Sequence, residues 1–217
     1  NQINLFLKSI YFRAIEILKK KKFPIDQGLY PGNYIIDIAN EILKEIDVGK
    51  YKNFEDAKSI ISSSAIKLSM GIIKNDLNNM GIRHDIFISE NDIVKEKILS
   101  KSIQILKKEG AITRGILPKP KGDTEDWEPR EQLLFKSTNY GDDVDRALQK
   151  SDNTWTYFAN DIAYHMNKVE RKYEFLINVL GADHTGYIKR IEAAVKALSQ
   201  NRVKLDCKVC QLVKLYK

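Results

Sequence analysis

The sequence predicts an α/β fold built around a parallel, doubly wound sheet. Segments with a helical apolar period alternate with short unbroken apolar runs, the pattern of strands covered on both faces by helices. One stretch, 111–156, breaks that rhythm with turn residues and short extended runs, and reads as a small β-rich insertion. The chain of 217 residues, 43% apolar and 30% charged, is long enough for one or two domains with a real core.

The elements follow in order. Ile3, Leu7, Ile10, Ala14 and Ile17 are spaced three and four apart, so an opening helix presents one apolar stripe, and it runs out in the lysines at 19–22. Pro24, Gly28, Pro31 and Gly32 punctuate a loop, after which Tyr34, Ile35, Ile38, Ala39, Ile42 and Leu43 predict a shorter helix. A long helix over about 55–78 carries Ile61, Ala65, Leu68 and Ile72 on one face and stops at Asn-Met-Gly, ending in Gly81. The compact run Ile86, Phe87, Ile88 predicts a buried strand over 82–89. A helix over 92–108 follows, with Ile98, Leu99, Ile103 and Leu106 inward, closed by Gly110. Gly115, Pro118, Pro120, Gly122 and Pro129 supply the turns of the insertion, whose Trp127 and Trp155 are expected to pack. The α/β rhythm resumes with a helix over 158–172, a buried strand over 175–180, a helix over 187–199 and a last strand over 203–213.

Charge and cysteine content limit the function classes. There are 36 Lys and Arg against 29 Asp and Glu, a formal charge of +7, which points toward polyanions such as nucleic acid or nucleotides. Two cysteines exclude a disulfide scaffold and fit a reducing compartment. Cys207 and Cys210 form one Cys-x-x-Cys without a second pair, so they read as buried strand thiols and no metal site is expected. With neither a membrane-length apolar run nor a signal peptide, a soluble cytoplasmic protein is expected. The chain opens at Asn1 without Met, directly in a helical pattern, and closes at Lys217 after a strand-like run, so a piece of a larger protein is expected.

Three places carry chemistry-bearing side chains. Gly181 and Asp183 follow a strand and precede a helix, where a ligand can approach the backbone and Asp183 can accept the two hydroxyls of a ribose; a glycine turn with an Asp N-cap is the other reading. Tyr157, Asp161 and His165 stand four apart on one helical face, where a carboxylate beside a phenol suits a guanidinium; the alternative is an acid near a helix start. Glu90, at the end of the strand over 82–89, either adds a second negative charge to that pocket or is solvated.

The run Thr-Tyr-Phe-Ala-Asn-Asp-Ile-Ala-Tyr-His over 156–165 and Val-Leu-Gly-Ala-Asp-His-Thr-Gly-Tyr-Ile-Lys-Arg over 179–190 resemble, in sequence and spacing, segments of bacterial arginyl-tRNA synthetases, a class I aminoacyl-tRNA synthetase family. Gly-Asn-Tyr-Ile-Ile-Asp-Ile-Ala over 32–39, Asp-Ile-Phe-Ile-Ser-Glu over 85–90 and Tyr-Gly-Asp-Asp-Val-Asp-Arg over 140–146 match as well, so the resemblance covers nearly the whole chain.

The resemblance implies an incomplete Rossmann-type core, residues 61–89 and 155–217, interrupted by a helical insertion over 1–60 and a partly β-rich one over 90–154. It implies that Tyr157, Asp161, Glu90 and His184 bind substrate arginine and that Gly181 and Asp183 bind ATP. The implied reaction is attack of the arginine carboxylate on the α-phosphorus of ATP, then transfer of the arginyl group to its tRNA. It needs no side-chain nucleophile. Mg2+ is expected with ATP, the partners are arginine, ATP and tRNA, no membrane is involved, and a monomer is expected. The family's His-Ile-Gly-His and Lys-Met-Ser-Lys-Ser signatures are absent from these residues and are expected upstream of Asn1 and after Lys217. The chain alone is therefore expected to be inactive. A non-catalytic module that binds tRNA or a partner through its basic surface is the rival reading.

Overall fold

The computed structural model describes residues 2–24, 28–95, 97–119, 128–150 and 152–214. Trp127, Pro120 and Gly122 lie outside the described residues. The chain divides into two compact units, Asn1–Ile86 and Phe87–Lys217.

The first unit is helical: α1 (Gln2–Lys19), α2 (Asn33–Glu45), a 3-10 turn (Val48–Lys50) and α3 (Phe54–Asn79). Its core gathers Leu7, Ile10 and Ala14 of α1, Ile35, Ile38 and Ile42 of α2, Val48, and Ala57, Ile61 and Ala65 of α3. Asn53 caps α3 by accepting the Asp56 N–H at 3.1 Å, and Glu55 and Asp56 place negative charge at its positive end. Gly81 at φ +77 closes it, a conformation that suits glycine.

Two stripes differ from the sequence expectation. In α1 the buried apolar set is Leu7, Ile10, Tyr11, Ala14 and Ile15, whereas Ile3, in the first turn, and Ile17, at the stripe's edge, are exposed. In α3 burial ends at Ala65, with Leu68 half-covered and Ile72 exposed, because the core it packs against reaches only its first half.

The segment 82–89 is not a strand. It belongs to neither sheet among the described residues, and Ile86, Phe87 and Ile88 are exposed. An apolar run records a preference for burial, but a strand exists only where a second backbone pairs with it.

The second unit holds α4 (Glu90–Lys95), α5 (Ile98–Lys108), β1 (Ile112–Ile116), β2 (Glu131–Phe135), β3 (Arg146–Ala147), α6 (Tyr157–Glu170), β4 (Phe175–Gly181), α7 (Ile188–Ser199) and β5 (Lys204–Cys210), with 3-10 turns at Ser137–Tyr140 and Ala182–Tyr187. The helix expected over 92–108 is two helices, since Lys97 at φ 55 is left-handed and cannot continue one. Strands β1, β2 and β3 form an antiparallel sheet with Ile112 opposite Phe135 and Leu134 opposite Ala147, as the turn-rich stretch leads one to expect. β4 and β5 pair in parallel from Phe175 opposite Lys204 to Gly181 opposite Cys210, joined through α7.

The sheets are thus small, and the parallel one is covered on one face. Leu176 and Asn178 are buried, whereas Phe175, Ile177 and Val179 are exposed. The apolar run of β4 carries the side chains for two covered faces, but among the described residues the helical layer lies on one. For the same reason the cysteines are not both buried: Cys207 is half-covered and Cys210 exposed.

Ile162, Ala163 and Met166 of α6 pack with Ile191, Ala194, Val195 and Leu198 of α7 and with Ile103 and Leu106 of α5. Phe135, fully buried, lies 5.8 Å from Tyr140 and 6.2 Å from Phe158, ring to ring, which ties the antiparallel sheet to α6. The Arg146 guanidinium donates twice to the buried Asp142 carboxylate, both at 2.7 Å, and Lys189 of α7 reaches Asp143 at 2.8 Å.

Candidate functional site

Helix α6 starts at a fixed point. Thr156 Oγ1 accepts the Ala159 N–H at 3.2 Å while donating to the Ala147 carbonyl at 3.0 Å, so the N-cap also anchors the helix to the antiparallel sheet. From there Tyr157, Asp161 and His165 follow at one-turn intervals with increasing cover: Tyr157 is 82% exposed, Asp161 half-buried, His165 5% exposed.

Two adjoining cavities meet at Asp161. One, of about 430 Å³, is lined by Glu90, Asn91, Ile93, Leu99 and Asn160; the other, of about 620 Å³, by Tyr157, His165, Lys168, Asn178, His184 and Tyr187. Asp161 and Tyr164 form the wall common to both.

Burial pushes the Asp161 carboxyl up from its ordinary 3.8; the Tyr187 phenol opposes this, the Glu90 carboxylate reinforces it, and His184 and Arg190 oppose it, with a net upward shift. No ion pair to Asp161 exists among the described residues, so its charge is desolvated without a direct cation. Such a group gains by receiving one, and a planar cation with several N–H donors fits best.

The other sequence-derived residues lie at the carboxyl end of β4. His184 Nε2 is 3.5 Å from the Asp183 carboxylate, and both side chains are exposed. A Cβ at Gly181 would sit 2.5 Å from Asp183 Oδ1, so the absence of a side chain there lets that carboxylate lie against the backbone. Tyr157, Asp161 and His184 therefore share one cavity, and Glu90 faces Asp161 across the other. Gly181 and Asp183 line neither cavity and are joined to the group through His184.

No family model matches the chain. Among curated proteins it is 53% identical to an arginine–tRNA ligase of Pelagibacter ubique, over 100% of this chain and 38% of that protein. To the arginine–tRNA ligase of Rickettsia prowazekii it is 45% identical, over 98% of this chain and 37% of that one. The chain belongs to the arginine–tRNA ligase family. It spans less than two fifths of the length of these relatives. Among solved structures, a putative arginyl-tRNA synthetase from Campylobacter jejuni superposes with a TM-score of 0.74 at 28% identity, over 98% of this chain and 43% of that one. The arginyl-tRNA synthetase of Plasmodium falciparum, at 18% identity and a TM-score of 0.57 over 99% of this chain and 35% of that one, shares the fold.

Several site groups escaped the sequence-level reading of this family member. Tyr187 faces Asp161, its phenol raised first by burial and then by that carboxylate, with the Arg190 guanidinium 4.4 Å from its ring centre and Phe158 edge-on at 6.4 Å. Nothing in the local pattern marks Tyr187, which reaches the pocket through the tertiary fold. Asn178 did carry a signal, as the one polar side chain inside the run Phe-Leu-Ile-Asn-Val-Leu.

Proposed function

We propose that this chain supplies the arginine-recognising part of an enzyme that activates L-arginine with ATP and transfers it to the tRNA for arginine. The observation that carries the reading is the half-buried Asp161 carboxylate, without a direct cation among the described residues, on the wall between two cavities of a chain with this family membership. In this reading Asp161 is the main counter-charge for the substrate guanidinium. Tyr157 shapes the same wall one turn earlier, Glu90 adds negative charge from the adjoining cavity, and His184 contacts the amino acid. Gly181 and Asp183 receive ATP, Asp183 through the ribose hydroxyls.

The carboxylate of arginine attacks the α-phosphorus, the bond to the β-phosphate breaks, and pyrophosphate leaves. A tRNA hydroxyl then displaces AMP from the arginyl carbonyl. The residues here position and select the amino acid; an uncharged competitor leaves Asp161 desolvated and unpaired, which is the basis of discrimination. Mg2+ is part of this reading as the ion that accompanies ATP in the full-length enzyme.

Residues 61–89 and 155–217 are assigned to a Rossmann-type core and 1–60 and 90–154 to insertions, in a cytoplasmic, monomeric enzyme. No helix of the described residues is long and apolar enough to cross a membrane. The test is ATP–pyrophosphate exchange by the full-length protein, with arginine and with its neutral isostere citrulline. Exchange that depends on arginine and not citrulline is expected; exchange driven by another amino acid instead would overturn the assignment.

A further inference from the structure

We infer that His165, with its proton on Nδ1, is a positioning residue that fastens the Asp161 turn of α6 to strand β4 through Asn178. The inference rests on the reading of Asp161 as the arginine counter-charge, and no role in the reaction itself is assigned to His165.

The hydrogen-bond directions follow from the partners. Lys168 Nζ, which can only donate, lies 2.7 Å from Asn178 Oδ1, so the Asn178 amide turns its NH2 to the other side. That NH2 is 3.0 Å from His165 Nε2, which therefore accepts. Nδ1 must then carry the proton, and it lies 2.8 Å from the Asp161 carbonyl oxygen, which can only accept. The chain Lys168, Asn178, His165, Asp161 has one consistent set of donors, and the His165 and Asn178 side chains it joins are buried.

The charges around it agree. Burial first, then the neighbouring Lys168, bring the His165 imidazole down to about 4, against a smaller upward pull from the Asp161 carbonyl. A second proton on Nε2 would face the Asn178 NH2 and the Lys168 ammonium behind it. The Lys168 ammonium lies 4.5 Å over the Tyr164 ring, and the charged and titratable groups acting on it are Arg171 of α6 and Cys207 of β5, whose thiol is raised by burial. The ring is thus a fixed strut across the pH range in which free histidine titrates. Because it holds the backbone of Asp161 and not its carboxylate, it sets where that carboxylate stands without neutralising it.

Two measurements on the full-length enzyme test this. The 15N resonances of His165 should report the Nδ1–H tautomer, unchanged between about pH 5.5 and 8; an Nε2–H tautomer, or titration near the ordinary value, would overturn the inference. Asn178→Asp preserves shape and the Lys168 partner but turns a carboxylate oxygen toward Nε2, so His165 should become protonated and titrate. As pH rises through that new value the imidazolium is lost, two acceptors then face each other, and arginine KM should climb about fivefold to tenfold, the scale of one buried hydrogen bond. The KM for ATP should not follow, and above the pH at which the raised Asp161 carboxyl itself ionises the wild-type arginine KM should stay flat. An arginine KM that matches wild type at every pH would overturn the positioning role, even if the melting temperature fell. Asp161→Asn, measured in parallel, separates the two ideas. If it raises arginine KM while Asn178→Asp does not, only the positioning role fails; if it leaves arginine KM unmoved, the pocket reading fails and takes this inference with it.

Discussion

Replacing Asp161 by Asn keeps the shape of the α6 wall and removes its charge. Hydrogen bonds to charged groups contribute about 1.5 to 3 kcal/mol, which at about 1.4 kcal/mol per tenfold is a loss of roughly 10- to 150-fold in arginine kcat/KM. ATP KM should change far less. Stability should move the other way. The folded carboxyl is raised above its unfolded value of 3.8, chiefly by burial, so the native state binds that proton more tightly than the unfolded chain. Its contribution to stability is therefore greatest at low pH, declines as pH rises through the raised folded value, and stays at its lower level above it. At neutral pH Asp161→Asn should melt no lower than wild type, and wild-type arginine kcat/KM should fall as acid protonates Asp161, at a higher pH than for a free carboxylate. Steady-state kinetics for both substrates and a thermal melt suffice. Unchanged arginine kinetics, or a lower melting temperature with both KM values raised together, would refute the pairing of a desolvated carboxylate with the substrate cation.

Asp183→Asn should show the opposite bias, raising ATP KM with arginine KM nearly constant in the same assay. Arg146→Met strands the buried Asp142 carboxylate and should cost about 3 kcal/mol by denaturant unfolding. Burial alone would push Asp142 up, but Arg146, the Asp143 N–H and Ser137 hold it below 3.8, so this stabilisation is present above the ordinary carboxylate value and the gap to the variant should close as pH falls through the lowered folded value. Cys210, exposed, should react with a thiol reagent before Cys207, which is half-covered with its thiol raised by burial; bound zinc or a bond between the two would contradict the strand placement. The 217 residues alone, which lack both phosphate-binding signatures, should give no arginine-dependent exchange, since even one such donor is worth about 10² to 10³ in rate.

What the sequence disclosed depended on how local the determinant was. Helices α1, α2, α6 and α7 and the strands β4 and β5 were legible because an apolar period or an unbroken apolar run is a property of a few adjacent residues. The break at Lys97 was not, because no glycine or proline marks it. The exposed run Ile86, Phe87, Ile88 and the open face of β4 misled for one reason: hydrophobicity records that a surface is to be covered and is silent about which residues cover it. The pocket divides along the same line. Tyr157 and Asp161 are one turn apart on a single helix and could be paired on paper, whereas Tyr187 meets Asp161 only through the packing of α6 on α7. The tautomer of His165 is settled by Asn178 on a different element and could not be read from the α6 sequence.

The most direct test is a crystal structure of the full-length enzyme with arginine bound. The guanidinium should lie about 2.7 to 2.9 Å from the Asp161 carboxylate oxygens, with Tyr157 beside it and Glu90 across the pocket. A guanidinium paired with another carboxylate, with Asp161 turned away from the ligand, would contradict the account.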